Sequence, residues 1–324
     1  MAYGCYTVEA SARPSQVWAY CALLRDMNTT TNTTLTVFYN DEYVNPNDAE
    51  TRTKAEPLAR MIEQGEVPGV TLKSPQSVTR EQLLQIHDAQ YLDKLWGEHP
   101  RFLASILAST GGVLAALDQA MVDGASGTLS SGLHHAQRAA DNGLCYLNGL
   151  ALVVLVAIEK YGLTDLGILD TDAHWGGGTF QLVGSNPKVR ISDVTVSDFD
   201  RWQSSESRHH LKMVSDPNVY LDEVKKALTH LEGIEFLVYN AGMDPFEDCG
   251  IGGMRGITRE ILEERERLVA QWCIDTKTPA LFTLAGGYTG RNLDLEGVAR
   301  LHLPTIREFQ RIKQETPLYN RCGH

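Results

Sequence analysis

No run in the 324-residue chain approaches the roughly 18 consecutive apolar residues that a membrane-spanning helix needs. The amino-terminal stretch carries Glu9, Arg13, Arg25 and Asp26 and no uninterrupted apolar segment, so neither an export signal nor a membrane anchor is expected. Positive charge is scarce. Against 41 Asp and Glu stand 29 Lys and Arg, a formal net charge of −12, which argues against nucleic acid as a partner and favours a neutral or cationic ligand. Paired cysteines are missing too: Cys5, Cys21, Cys145, Cys249, Cys273 and Cys322 lie far apart with no C-x-x-C. That spacing argues against a disulfide scaffold or a zinc knuckle and makes a reducing cytoplasm the expected compartment. Internal repeats and low-complexity tracts do not occur, the Thr/Asn run 28–34 reading as a polar loop.

What remains is enough for a large core, with 43% hydrophobic residues. Hydrophobic periodicity predicts helices over 14–27, 54–64, 79–95, 102–121, 142–160, 220–231, 259–272 and 295–312. Short apolar runs predict strands at 35–39, before Ser130, and at 166–173, 189–196, 234–239 and 280–284. Such alternation implies a three-layer α/β/α architecture around a mostly parallel central sheet. One domain spanning residues 1–324 is expected, with residues 1–30 set apart as an N-terminal extension.

Leu166–Gly178 holds the strongest chemical signal. Asp170, Asp172 and His174 follow an apolar run at i, i+2 and i+4, and three glycines close the segment. On a strand, that spacing puts all three side chains on one face at the carboxyl end, where open α/β sheets bind ligands. Two carboxylates and an imidazole suit zinc; an Asp/Gly-rich surface turn is the equally open reading of the triplet alone. Three further strand ends carry polar groups: His134-His135, Asp244, and Tyr288 behind Gly286-Gly287. In a parallel sheet all of these open on one edge.

At this point five blocks in order resemble the zinc-dependent histone deacetylase superfamily, which includes acetylpolyamine amidohydrolases, and its arginase-deacetylase fold. They are Gly132-Leu-His-His-Ala136, Gly143-Leu-Cys-Tyr-Leu-Asn148, Leu169-Asp-Thr-Asp-Ala-His174 with its glycines, Asn240-Ala-Gly-Met-Asp244 and Ala285-Gly-Gly-Tyr288. The segment Gln82–Tyr91 is also similar, and the likeness spans roughly 35–310. It implies Asp172, His174 and Asp244 as zinc ligands, His134 and His135 as proton carriers, Tyr288 as oxyanion donor, and Gly143 and Leu144 lining the passage for an acyl-amine chain. Asp170 is implied to orient His134 and to help hold a structural potassium ion.

Three departures stand out. Gly177 occupies the place from which the family orients its second histidine, so His135 lacks its expected partner; another acceptor, a water, or reliance on His134 is left open. Leu144 replaces the tunnel phenylalanine. The stretch between Tyr91 and His134 and the segment Ser204–Asp216 are short, which weakens the case for histone-tail recognition. Other residues read as structural: His209-His210 as solvated surface, His87 as held in a helix, Cys145 as a small buried hydrophobe, with Phe199 and Trp202 undecided between rim and core. The expected activity is zinc-dependent hydrolysis of an acyl, foremost acetyl, amide. Its substrate would be a small acylated amine, an acetylpolyamine or an acetyl-lysine, the small molecule being favoured. A catalytically silent acyl-amine binder is one alternative. A manganese ureohydrolase is the other, opposed by Gly176 where a bridging carboxylate would be needed.

Overall fold

The computed structural model describes residues 33–45, 49–98, 100–131 and 133–316. The helix expected over 14–27, the extension 1–30, and Cys5, Cys21 and Cys322 lie outside the described residues.

Eight strands form one sheet: β1 Leu35–Phe38, β2 Val70–Lys73, β3 Ala125–Ser131, β4 Leu166–Asp170, β5 Val189–Thr195, β6 His209–Met213, β7 Phe236–Ala241 and β8 Ala280–Leu284. Their spatial order is β2-β1-β3-β8-β7-β4-β5-β6, and every pairing is parallel. Side-chain alternation divides the core into two layers. On β7, Leu237 and Tyr239 face the layer built by helices Ala55–Glu63, Tyr220–His230, Arg259–Thr276 and Leu303–Glu315, while Phe236 and Val238 face the layer of Ala89–Glu98, Pro100–Asp123 and Gly149–Tyr161. Both faces are covered, and the central strands β4, β7 and β8 read as largely apolar runs for that reason. Segment Phe102–Asp123 is long and apolar enough to cross a membrane by composition alone, yet 61% of its most apolar window is buried within the fold.

Several expected boundaries shift for identifiable reasons. The helix expected from Asn142 begins at Gly149, because Gly143 and Leu144 both have left-handed backbones (φ +52° and +63°) that no helix accommodates; Asn148 caps it by accepting from Ala151 N at 2.9 Å. Thr79 does open a helix through a capping box with Gln82, but that helix stops at Leu83, and Ala89–Glu98 is separate. The helix expected over 295–312 is two, Leu295–Leu301 and Leu303–Glu315, since Pro304 has no N–H to donate and its ring would strike the carbonyl of Arg300. Gly127 does not end a helix; it lies inside β3, where any side chain would overlap the Phe282 ring. Strands β2 and β6 and the short helix Gly177–Val183 were not signalled by periodicity.

The topology matters most at its centre. Strands β3 and β4 are consecutive among the strands, but β8 and β7 insert between them, so four adjacent strands, β3, β8, β7 and β4, bring the loops after them to one place.

Candidate active site

Those four loops carry His134 and His135, Tyr288, Asp244, and Asp172 with His174. One ligand atom from each of Asp172, His174 and Asp244 lies within 4.8 Å of the others, and all three residues are buried. Nδ1 of His174 stands 3.0 Å from Asp172 Oδ1 and 3.1 Å from Asp244 Oδ2. The remaining oxygens are fixed by backbone: Asp172 Oδ2 accepts from Gly286 N at 2.6 Å and Asp244 Oδ1 from Ala173 N at 2.9 Å. Asp244 Oδ2 is buried and accepts no hydrogen bond of good geometry among the described residues. A Cβ at Gly286 would overlap that same oxygen, so the glycine keeps the cradle open. Burial and the neighbouring Asp172 push the Asp244 carboxyl up to about 6; His174, despite burial, is held protonated up to about 11 by the two carboxylates. Two carboxylates and an imidazole converging in a buried pit form a donor set that fits a divalent metal.

The two histidines pack ring against ring at 3.9 Å but sit in different electrostatic surroundings. Nδ1 of His134 lies 2.7 Å from Asp170 Oδ2, and Asp170 Oδ1 in turn accepts from Asn240 Nδ2 at 2.9 Å, its register neighbour across β4 and β7. The Nε2 of His134 is 3.6 Å from Asp172 Oδ1. Burial opposes its charge, but Asp170 and Asp172 outweigh burial and raise its pKa to about 10. His135 goes the other way, lowered by burial and by its charged neighbour His134. Its Nδ1 is 2.8 Å from Asp200 Oδ2. Sequence reading missed Asp200, which follows β5 and lies 65 positions from His135. Of the alternatives left open for His135, the structure shows another acceptor, the Asp200 carboxylate, in place of the partner missing at Gly177. Asn148 Nδ2 donates to the carbonyls of His134 and Ala136, at 3.2 and 3.0 Å, and fixes the backbone of the pair.

The pocket between these groups is lined by His134, His135, Asp172, Gly143, Leu144, Cys145, Thr51 and Tyr288 among others. Burial and the Asp244 and Asp172 charges push the Tyr288 phenol upward, so it is a proton-bearing donor at neutral pH. The short helix Glu50–Thr53, absent from the sequence reading, and Lys54 after it brace both sides. Glu50 accepts from Thr289 N and Oγ1, both at 2.7 Å; Thr51 Oγ1 donates to Ala285 O at 3.2 Å; Arg52 donates to Leu144 O at 2.6 Å; and buried Lys54 donates to Ala285 O. Burial lowers the Lys54 ammonium to about 8.

Phe199 belongs to the mouth: it is 43% exposed, with its ring set edge-on against His135 at 5.0 Å and His174 at 5.9 Å. Leu144, half exposed, lines the pocket and follows Gly143, which packs against Phe199. Trp202 is core, stacked on Phe180 at 4.1 Å and donating to Asp193 Oδ2 at 2.8 Å. Cys145 is buried with its thiol pushed up to about 12, mainly by burial. Two readings need correction. His209 is not solvated surface: it is buried on β6 with Nε2 2.9 Å from Gly184 O, because β6 joins the sheet instead of looping out. His87 is structural as expected, but it sits in the turn after Leu83, its Nδ1 2.8 Å from Gln137 O and its Nε2 accepting from Asn148 N.

Residues 48–200 match the histone deacetylase domain family. An uncharacterised protein of Picosynechococcus is 26% identical over 287 residues, covering 80% of this chain and 94% of that one. Histone deacetylase 2 of Arabidopsis thaliana is 21% identical over 70% of this chain and 66% of its own length. The polyamine deacetylase HDAC10 of Mus musculus is 31% identical over 129 residues, 36% of this chain and 19% of that one. Among solved structures, the HDA15 HD domain superposes with a TM-score of 0.68 at 17% identity, covering 88% of this chain and 91% of that one, and so shares the three-layer fold. The fold, the five ordered blocks and these relatives together support the histone deacetylase-like superfamily.

Proposed function

We propose that the protein is a zinc-dependent amidohydrolase that removes an acyl group, acetyl in the simplest case, from an amine. The observation that carries this reading is the convergence in one buried pit of a three-ligand cation site, two histidines each backed by its own carboxylate, and the Tyr288 phenol. A zinc ion held by Asp172, His174 and Asp244 would supply a Lewis acid for the amide carbonyl and acidify a water. The chain's own residues divide the remaining work. His135 is neutral and carries its proton on Nδ1 toward Asp200, so its Nε2 is free to take a proton from the attacking water and return it to the departing amine. His134, charged between Asp170 and Asp172, stabilises developing negative charge. Tyr288 donates to the oxyanion.

A small or cationic amine is the preferred substrate. The net charge of −12 favours it, and the mouth is a short apolar lip of Leu144 and Phe199. One relative by name is a polyamine deacetylase. A potassium ion beside Asp170 forms part of the same proposal: Asp193 pairs with Asp170 in register, and its buried Oδ1 has no hydrogen-bond partner among the described residues. Asp200 gives His135 the carboxylate that Gly177 does not, which weighs against the silent-binder alternative.

The test is to measure bound metal and then turnover of a fluorogenic acetyl-lysine substrate and of acetylputrescine, with Asp172→Ala as control. About one zinc per chain and Asp172-dependent product release are expected. Metal without turnover on any acyl amine would overturn the hydrolase reading, and two manganese ions with urea release would replace it.

A further inference from the structure

His135 and position 177 are separated by a contest for space. An ideal Cβ on Gly177 would overlap the backbone oxygen of Asp200 and come within 2.6 Å of its Oδ1. A side chain at 177 and Asp200 in its present place therefore exclude each other. Asp200 is also held there against backbone preference: its φ is +59°, a left-handed conformation uncommon for residues other than glycine, though one that Asp tolerates better than most. Its carboxylate is almost fully buried and all of its bonding capacity is directed at the site. Oδ2 meets His135 Nδ1 at 2.8 Å and accepts from Gly178 N at 3.2 Å, while Oδ1 accepts from Asn142 Nδ2 at 3.0 Å. Asn142 in turn flanks Gly143, whose Cα lies against the other side of the His135 ring, where a Cβ would overlap the imidazole.

We infer that Asp200 is the positioning residue of His135: a carboxylate from the loop after β5 that fixes the proton on Nδ1, aims Nε2 into the pocket, and depends on the absence of a side chain at Gly177. The same loop carries Phe199, whose ring rests on His135, so the orienting group and one wall of the mouth arrive on adjacent residues. The geometric part of this inference stands by itself; its catalytic consequence rests on the hydrolase reading above.

Asp200→Gly tests it with minimal risk to folding, because glycine suits a φ of +59°. Asp200→Asn, which also tolerates that backbone, serves as the second variant. If Asp200 acts through His135, Asp200→Gly lowers kcat by about 10- to 100-fold with KM nearly unchanged. The Asp200→Gly/His135→Ala double variant is then no slower than His135→Ala alone. Independent of turnover, histidine-selective 15N labelling should show a low-field Nδ1 proton that vanishes in His135→Ala and is lost or moved upfield in both Asp200 variants, with the thermal midpoint of Asp200→Gly retained. An unmoved resonance, or effects of the two substitutions that multiply in full, would overturn the inference. Wild-type protein with the Asp200-dependent resonance but no turnover would instead sink the hydrolase reading and leave the positioning role intact.

Discussion

Of the four non-glycine residues with left-handed backbones among the described residues, Leu133 and Leu144 line the pocket, Asp200 backs its His135, and Lys277 ends a helix. Each such residue costs on the order of 1–3 kcal/mol, and clustering at one site marks structure held for use. The Gly177 contest gives a direct prediction: Gly177→Ala should displace Asp200 and lower turnover about as far as Asp200→Gly does, roughly 10- to 100-fold, and steady-state kinetics on the two variants checks it. Tyr288→Phe removes only the hydroxyl donor and should cost about 10²–10³ in kcat with bound metal unchanged, measured by single-turnover assay and metal analysis together. At this scale Asp170, Asp172 and His174 were legible because they follow one apolar run at close spacing, although β4 ends at Asp170 and the other two sit in the loop beyond it, so it is the loop and not strand alternation that brings them together. Asp200 was not, because it lies in an irregular loop where no period links it to a histidine 65 positions away.

At the scale of elements, helix Arg259–Thr276 braces the cation site from behind. Arg265 and Glu266 form a fully buried ion pair at 2.7 Å. Arg265 also donates to Tyr220 OH at 3.0 Å and to the Thr171 carbonyl at 3.4 Å, directly before Asp172, while Glu266 accepts from Tyr239 OH at 2.8 Å. Removing one partner strands a buried charge, so Glu266→Ala should destabilise the fold by about 3–5 kcal/mol, seen as a lower urea midpoint. The turn holding His87 adds a pH dependence. Burial lowers its imidazole from 6.5 to about 4. As pH falls below 6.5 the unfolded chain takes up a proton that the folded chain refuses until about pH 4, so stability is whole above 6.5 and falls across that window, by about 3 kcal/mol from this residue. Urea midpoints between pH 7 and 4 should decline less steeply in His87→Leu. Buried His209 and His302, also lowered by burial, act in the same direction. Helix and strand types were largely readable from periodicity. The breaks at Leu144 and His302 came from backbone handedness and from one proline, and the edge strands β2 and β6 are too short and too polar to show a pattern.

For the whole molecule, the alternation of elements implied a parallel sheet but not its order. Insertion of β8 and β7 between β3 and β4 is a tertiary choice, and it sets the Tyr288 and Asp244 loops between those of His134 and His174. The same insertion concentrates negative charge centrally, which ties global stability to the cation. Loading with zinc at about a hundredfold excess over its dissociation constant should contribute about 2.7 kcal/mol and raise the thermal midpoint by several degrees. Chelation should reverse the shift, and Asp244→Ala should abolish it; differential scanning calorimetry reads both.

The stretch 50–54 ties these scales together mechanically. Glu50 grips the segment just past Tyr288, Thr51 and Lys54 grip the carbonyl just before it, and Arg52 grips the lip at Leu144. Because four residues within this five-residue stretch hold both banks of the pocket, the lip at Leu144 and the segment that carries Tyr288 hang on one short anchor, and a substitution in that anchor reaches both.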